Sequence, residues 1–185
     1  MRLIDEFNEK LKALVDEDSF DWQRIVFSTP EIEESISKLR EKMIIPEELA
    51  AFFLKYGAFK SNGFGDAWQT VQLFSIQELI DIPLGIVDFI DYYWGGRPEF
   101  ADYFSSEEIT QLNQHYKIFG LKYVDDNVHD YWFFDRYEKF GNLPFDQDDC
   151  EPAMDILKEL LISSNLTLSL EELLNAQFES ILEEL

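Results

Sequence analysis

The chain has 185 residues, 46% of them hydrophobic and 16% aromatic, which excludes a disordered acidic chain and allows one domain with its own core. Its 38 acidic and 15 basic residues give a formal net charge of −23, which argues against nucleic acid and anionic membranes as partners and favours a cationic protein. A single cysteine, Cys150, and the lack of a signal-like or membrane-spanning apolar segment predict a cytoplasmic protein.

The acidic character is concentrated in the C-terminal two thirds of the chain. Residues 1–60 hold 13 acids and 9 bases, whereas residues 61–185 hold 25 acids and 6 bases. Solubility alone also accounts for such a composition, so the charge by itself does not establish a partner.

The N-terminal segment has the apolar spacing of an amphipathic helix, predicted over about residues 2–16. The stripe consists of Leu3, Ile4, Phe7, Leu11, Leu14 and Val15. Residues 22–27 form a short apolar run that fits either a helix or a strand.

Two proline-led helices follow. The first is predicted to begin at Pro30, with Thr29 as its N-cap, because proline is tolerated at the first helical position. The second is predicted to begin at Pro46 and to end at Gly57 in the left-handed αL conformation.

Residues 58–117 alternate between loops and short elements. A Gly- and Asn-rich loop is predicted over residues 58–68, followed by a strand over residues 70–74. Helices are predicted after Ser75 and Ser105, because each serine is followed three residues later by a glutamate in a capping box. Residues 80–96 fit either a helix or a buried irregular segment.

The next segments predict a hairpin and a third strand. Residues 118–124 and 129–135 are rich in β-branched and aromatic side chains and flank a turn-prone loop at 125–128. A further strand is predicted over residues 140–145, followed by the acidic loop 146–151.

The chain closes with two predicted helices, one starting at Pro152 and one capped by Ser169 and Glu172. The stripe of the last helix comprises Leu170, Leu173, Leu174, Phe178, Ile181, Leu182 and Leu185. Together the elements predict a single α+β domain with a mixed or antiparallel β-sheet flanked by helices.

The segments EIEESISKLREKM, IPEELAAFFLKYG, LFSIQEL and SLEELL occur in an order that resembles the SUKH superfamily, also called the Smi/Knr family. The resemblance covers about residues 29–182. It implies an α+β domain and, in bacteria, a common role as an immunity protein that binds and neutralises a toxin, often a nuclease.

The chain departs from that pattern in several places. Tyr56-Gly57 stands where the family usually has Asn-Gly, and Val128-His129-Asp130 stands where Gly-Asp is usual. Relative to short members, residues 1–28 form an N-terminal helical extension and residues 81–117 form an insertion.

The stretch DDNVHDYWFFD at residues 125–135 combines carboxylates with an imidazole, the groups that make metal and acid-base sites. Strand geometry, however, sends His129 to one face of a sheet and Asp130 to the other. Aromatic side chains at alternating positions on both faces predict a strand covered on both sides.

Other motifs give no stronger chemistry. The loop DQDDCE lacks the glycine and distal glutamate of a calcium site, NGFGD at 62–66 lacks a third glycine and a lysine, and Cys150 lies among acids that disfavour a thiolate. The sequence therefore predicts no catalytic, cofactor-binding or metal-binding residues and a non-enzymatic protein.

We therefore predict an acidic immunity-type protein that binds a cationic toxin domain through acids in loops at one end of the sheet. The predicted contact residues are Asp125, Asp126, Asp130, Asp146, Asp148 and Asp149. Two alternatives remain: a regulatory scaffold of the same family, favoured by scattered acids and an apolar groove, and an enzyme, favoured by a deep cleft holding His129 and two carboxylates.

Overall fold

The computed structural model describes residues 2–63, 69–96 and 99–184. Its α-helices in the described residues are α1 (Arg2–Leu14), α2 (Glu17–Gln23), α3 (Glu33–Lys42), α4 (Glu47–Tyr56), α5 (Ile76–Asp81), α6 (Ile86–Trp94), α7 (Ser106–His115), α8 (Glu151–Ile162) and α9 (Leu170–Glu184). The strands are β1 (Val26–Phe27), β2 (Phe59–Lys60), β3 (Thr70–Leu73), β4 (Tyr116–Tyr123), β5 (Val128–Asp135) and β6 (Phe140–Asp146).

The six strands form one sheet in the order of the chain, and every neighbouring pair is antiparallel. The predicted α+β class is thus confirmed, with the antiparallel form of the sheet. In the long β4–β5 hairpin Tyr123 lies opposite His129, and β6 places Asp146 opposite Val128. This register brings the β4–β5 turn and the end of β6 to the same end of the sheet.

Strand β5 is covered on both faces, as its sequence predicted, because all its residues from His129 to Asp135 are buried. On the first face, Tyr131 contacts Phe89 of α6. On the second face, Trp132 contacts Phe59, which in turn contacts Phe178 of α9. Helix α1 packs behind α9, with the rings of Phe7 and Phe178 5.0 Å apart, so the N-terminal helix shares the same core.

Gly120 in β4 shows why these layers are close. A Cβ atom at this position would lie 2.6 Å from the carbonyl oxygen of Gln72 and 2.8 Å from the ring of Trp132. The register of β4 against β5 also shifts between Ile118 and Gly120. Glycine therefore permits the close approach of β3 and Trp132 at this irregular point.

The start of α3 corrects the prediction for Pro30. The helix begins three residues later, at Glu33, with Ile32 as its N-cap. Backbone hydrogen bonds from Ser28 to Ala58 and from Glu31 to Phe53 hold the preceding segment against β2 and α4. Long-range pairing thus keeps residues 28–31 non-helical, although Thr29-Pro30 alone has the sequence of a helix start.

Helix α4 agrees with the prediction except in its caps. Pro46 is the N-cap residue rather than the first helical residue. Gly57 has the expected positive φ of 78°, but its ψ of −164° lies outside the αL region and directs the chain into β2. A Cβ atom there would also lie 2.5 Å from the carbonyl oxygen of Thr29. Both the positive φ and this close contact therefore require glycine at position 57.

The middle of the chain is more regular than predicted. Strand β2 lies inside the segment predicted as a loop, whose residues 64–68 lie outside the described part. The ambiguous segment contains helix α6, which ends at Gly95 in the αL conformation. The capping boxes of Ser75 and Ser105 are both present. In the part of the chain that the structure describes, no helix has the length and apolarity needed to cross a membrane.

Candidate functional site: an acidic surface with buried aromatic support

Two acidic loops meet at one end of the sheet. The β4–β5 turn carries Asp125 and Asp126, and the loop after β6 carries Asp148 and Asp149; all four side chains are exposed. The side-chain amide of Asn127 donates a hydrogen bond of 2.8 Å to Asp148 Oδ2, and the backbone N–H of Gln147 donates one of 2.9 Å to the Asn127 carbonyl. The loops therefore form a single surface, which we call the acidic turn surface.

The carboxylates of the acidic turn surface are held in place by local hydrogen bonds. Asp125 Oδ1 accepts from the backbone N–H groups of Asn127 and Val128, each at 2.8 Å, and Asp146 Oδ1 accepts from the N–H of Asp148 at 2.9 Å. These are Asx-type turns, in which an aspartate side chain fixes the backbone two or three residues ahead. In the described hydrogen bonds each carboxylate keeps at least one oxygen for another donor.

Two tyrosines lie at this end of the sheet, one in contact with an acid and both packed on His129. The Tyr123 hydroxyl donates to Asp126, and this hydrogen bond raises the pKa of Tyr123 to about 12. Tyr93, at the end of α6, is 43% exposed. The rings of Tyr93 and Tyr123 both contact His129, at centroid distances of 5.0 and 4.9 Å. The acidic turn surface thus has aromatic rings at its border, where partly exposed tyrosines can contribute apolar contact area.

His129 is the support beneath the two tyrosines. Its side chain is 1% exposed, with Trp94 at 4.8 Å edge-to-face and Tyr131 stacked at 5.8 Å. Its Nε2 lies 3.2 Å from the Tyr93 hydroxyl, while Nδ1 is buried without a hydrogen-bond partner in the described structure. Burial lowers the pKa of His129 to about 4, although Asp125 opposes this shift. The ring is therefore neutral at physiological pH and fills the space behind the surface.

Asp130 does not belong to the acidic turn surface and corrects the prediction that it is a loop acid. It lies within β5 on the opposite face from His129 and is 8% exposed. Its carboxylate accepts two hydrogen bonds from Asn142 Nδ2, at 2.9 and 3.1 Å. Burial raises the pKa of Asp130, while Asn142, Gln177 and Lys122 oppose that rise. Asp130 therefore stabilises the contact between the sheet and α9.

The enzyme alternative calls for carboxylates within hydrogen-bond reach of His129, and none of the described hydrogen bonds of His129 is of that kind. Its ring is hydrogen-bonded to the Tyr93 hydroxyl instead. In residues 2–63, 69–96 and 99–184 no group of three His, Cys, Asp or Glu side chains is placed to hold a metal ion. Two surface cavities, of about 340 and 460 Å³, are lined neither by His129 nor by a residue of the acidic turn surface.

The residues predicted from the sequence for this surface did not include Asn127, Tyr93 or Tyr123. The pairing of Tyr123 with His129 follows from the hairpin register, so the alternation of the two strands could have revealed it. Tyr93 carries no such signal, because its position depends on how α6 docks on the sheet. The other weak motif, NGFGD, lies partly outside the described residues.

A scan against protein-family models found no matching family, and searches of curated proteins and of solved structures found no match. The acidic turn surface therefore has to be interpreted from its own chemistry.

Proposed function

We propose that this chain is a non-enzymatic binding protein that recognises a cationic protein through the acidic turn surface. The observation that carries the proposal is the hydrogen bond between Asn127 and Asp148, which joins two acidic loops from different parts of the sequence. Prearranged carboxylates lose little conformational entropy when they bind Lys or Arg. Close charge pairs at protein interfaces contribute roughly 1.5 to 7 kcal/mol each in measured cases.

The tyrosines give the proposed interface an apolar part. Binding energy in protein interfaces concentrates in a few residues, among which Tyr is enriched, surrounded by polar contacts. Tyr123 is hydrogen-bonded to Asp126, and both Tyr93 and Tyr123 pack on the buried ring of His129. A partner that places basic side chains on the acids would therefore also cover these rings.

The most specific form of the proposal is a bacterial immunity protein that neutralises a basic toxin domain, such as a nuclease. It rests on the resemblance to the SUKH superfamily together with the net charge of −23. An acidic protein that covers a nuclease surface competes with the substrate phosphates for the same basic residues. The scaffold alternative is less favoured, because these acids converge at one end of the sheet instead of being scattered.

The test is a pull-down with the basic C-terminal domain of the secreted protein encoded by the adjacent gene. We expect capture at low salt and weaker capture at high salt, because screening shortens the reach of charges to about 8 Å at physiological ionic strength. Failure to capture such a domain at any salt concentration, or an adjacent gene that encodes no basic secreted domain, would count against the immunity role.

A further inference from the structure

A second charged cluster lies at the opposite end of the sheet. It joins the β5–β6 turn to the end of α7. Arg136 Nη1 lies 3.1 Å from His115 Nε2, and Arg136 Nη2 donates to the Tyr137 hydroxyl at 2.8 Å. The guanidinium also lies over the Tyr137 ring, 4.8 Å from its centroid. Arg136 is therefore held in one orientation by two side chains.

The contact defines the protonation state of His115. A guanidinium has only donors, so His115 Nε2 must accept, and the proton of the neutral ring is on Nδ1. The pKa of His115 is lowered first by burial and then by the positive charges of Arg136 and Lys117. Burial and these two positive charges disfavour the protonated ring, whereas an anion bound beside Arg136 would favour it.

Arg136 supplies the positive charge of this cluster, in a part of the chain that has few basic residues. Residues 61–185 hold 6 bases against 25 acids, and none of the described ion pairs includes Arg136. The nearest carboxylate in sequence, Asp135, accepts from the N–H groups of Tyr137 and Lys139 and from the Ser164 hydroxyl. Asp135 is thus hydrogen-bonded to the turn backbone and to Ser164, and none of the described hydrogen bonds joins it to Arg136.

The other charges near the cluster act at a distance. The ammonium of Lys117 donates to the Asn113 carbonyl. Burial lowers the pKa of Lys117, and the charge of Asp88 opposes that shift. Burial raises the pKa of Tyr116, to which Asp135 adds and which Arg136 opposes. Strand β5 separates this cluster from the acidic turn surface by about 24 Å at 3.4 Å per residue. That distance exceeds the screening length of about 8 Å, so the acids do not neutralise it.

We propose that Arg136 and His115 bind the phosphate group of a small molecule. The guanidinium keeps three of its five N–H groups for a tetrahedral oxyanion, the arrangement in which arginine recognises phosphate. A phosphate dianion also favours a proton on His115 Nε2, which then donates to the ligand instead of accepting from Arg136. A carboxylate carries one negative charge, which Arg136 alone neutralises. It therefore stabilises the protonated form of His115 less than a phosphate dianion does.

The two histidines of this chain make a direct test possible, because NMR can follow each imidazole separately. The probes are inorganic phosphate and acetate, each compared with sodium chloride at matched ionic strength. We expect phosphate to raise the pKa of His115, by about one unit for a tenfold preference of phosphate for the protonated ring. Acetate should raise it less, and His129 should not respond.

Arg136→Gln should abolish the phosphate response, while Lys38→Gln, which removes the same charge from an exposed helix, should preserve it. Equal shifts with phosphate and chloride, or a response that persists in Arg136→Gln, would overturn the proposal. Neither outcome affects the acidic turn surface, which lies at the other end of β5.

Discussion

The side-chain amide of Asn127 lies 2.8 Å from a carboxylate oxygen of Asp148, although the two residues belong to loops 21 positions apart. This contact aligns the turn acids of the β4–β5 hairpin with those of the loop that leads into α8. The chain thereby presents carboxylates as an ordered group at one edge of the molecule, next to two tyrosines.

Asn127→Asp tests whether this contact orders the surface. The change replaces an amide donor with a carboxylate that repels Asp148, so we expect a loss of about 1 to 2 kcal/mol in the free energy of unfolding, partly restored by salt. Urea denaturation at low and high salt measures it. Asn62→Asp is the matched control, since Asn62 is exposed and makes no described side-chain hydrogen bond. Equal losses in both variants would show that the contact contributes nothing specific.

Tyr93→Ala tests the aromatic part of the proposed interface. We expect affinity for the partner to fall by about 2 kcal/mol, or roughly thirtyfold, whereas Tyr93→Phe should retain most of it because the ring remains. Calorimetric titration with the captured toxin domain gives both values. Tyr92→Ala is the control, because Tyr92 is more exposed and no described ring contact joins it to His129. A larger loss for Tyr92→Ala would place the interface elsewhere.

His129 predicts a specific loss of stability in acid. The unfolded chain takes up a proton on this histidine near pH 6.5, whereas the folded chain does so only near pH 4. Stability is therefore lost as the pH falls from 6.5 to 4, by at most about 3 kcal/mol from this residue. His129→Phe cannot take up this proton. The free energy of unfolding of the variant, relative to that of the wild type, should therefore rise as the pH falls from 6.5 to 4. Urea denaturation at several pH values measures this difference. A parallel pH dependence of the two proteins would contradict the buried, neutral assignment.

Asp130→Ala should chiefly reduce stability, whereas Asp126→Ala should chiefly weaken partner binding. Removing the Asp130 carboxylate takes an acceptor from Asn142 and Gln177 and a negative charge from beside Lys122, so we expect a cost of about 2 to 4 kcal/mol in stability. Asp126 is exposed, and its removal should cost less than about 1 kcal/mol but weaken partner binding. Thermal denaturation and titration of both variants separate the two roles. If the Asp130→Ala protein were still folded but bound the partner more weakly, Asp130 would belong to the interface after all.

The sequence was most informative where structure is local. Ser75 and Ser105 cap their helices as their spacing from Glu78 and Glu108 indicates, because a capping box involves only four consecutive residues. The alternation of β5 likewise separated His129 from Asp130 correctly. These features depend on neighbouring residues and on the geometry of one element.

The predictions from sequence failed where contacts between distant segments determine the local structure. Thr29-Pro30 has the pattern of a helix start, but the hydrogen bond from Glu31 to Phe53 keeps that segment extended. The burial of Asp130 depends on Gln177 in α9, 47 positions later, which no local pattern encodes. Tyr93 joined the candidate site only through the packing of α6 against His129.

Charge reversal of the acidic turn surface is the most direct test of the proposed function. A variant with Asp125, Asp126, Asp148 and Asp149 all changed to Lys is compared with one in which Glu9, Glu41, Glu179 and Glu183, exposed on helices, are changed to Lys. Both variants change the net charge equally, so the comparison separates contact acids from overall charge. Titration with the toxin domain at physiological salt should show binding abolished in the first variant and reduced only slightly in the second. Equal affinities of the two variants would contradict the acidic turn surface as the binding site.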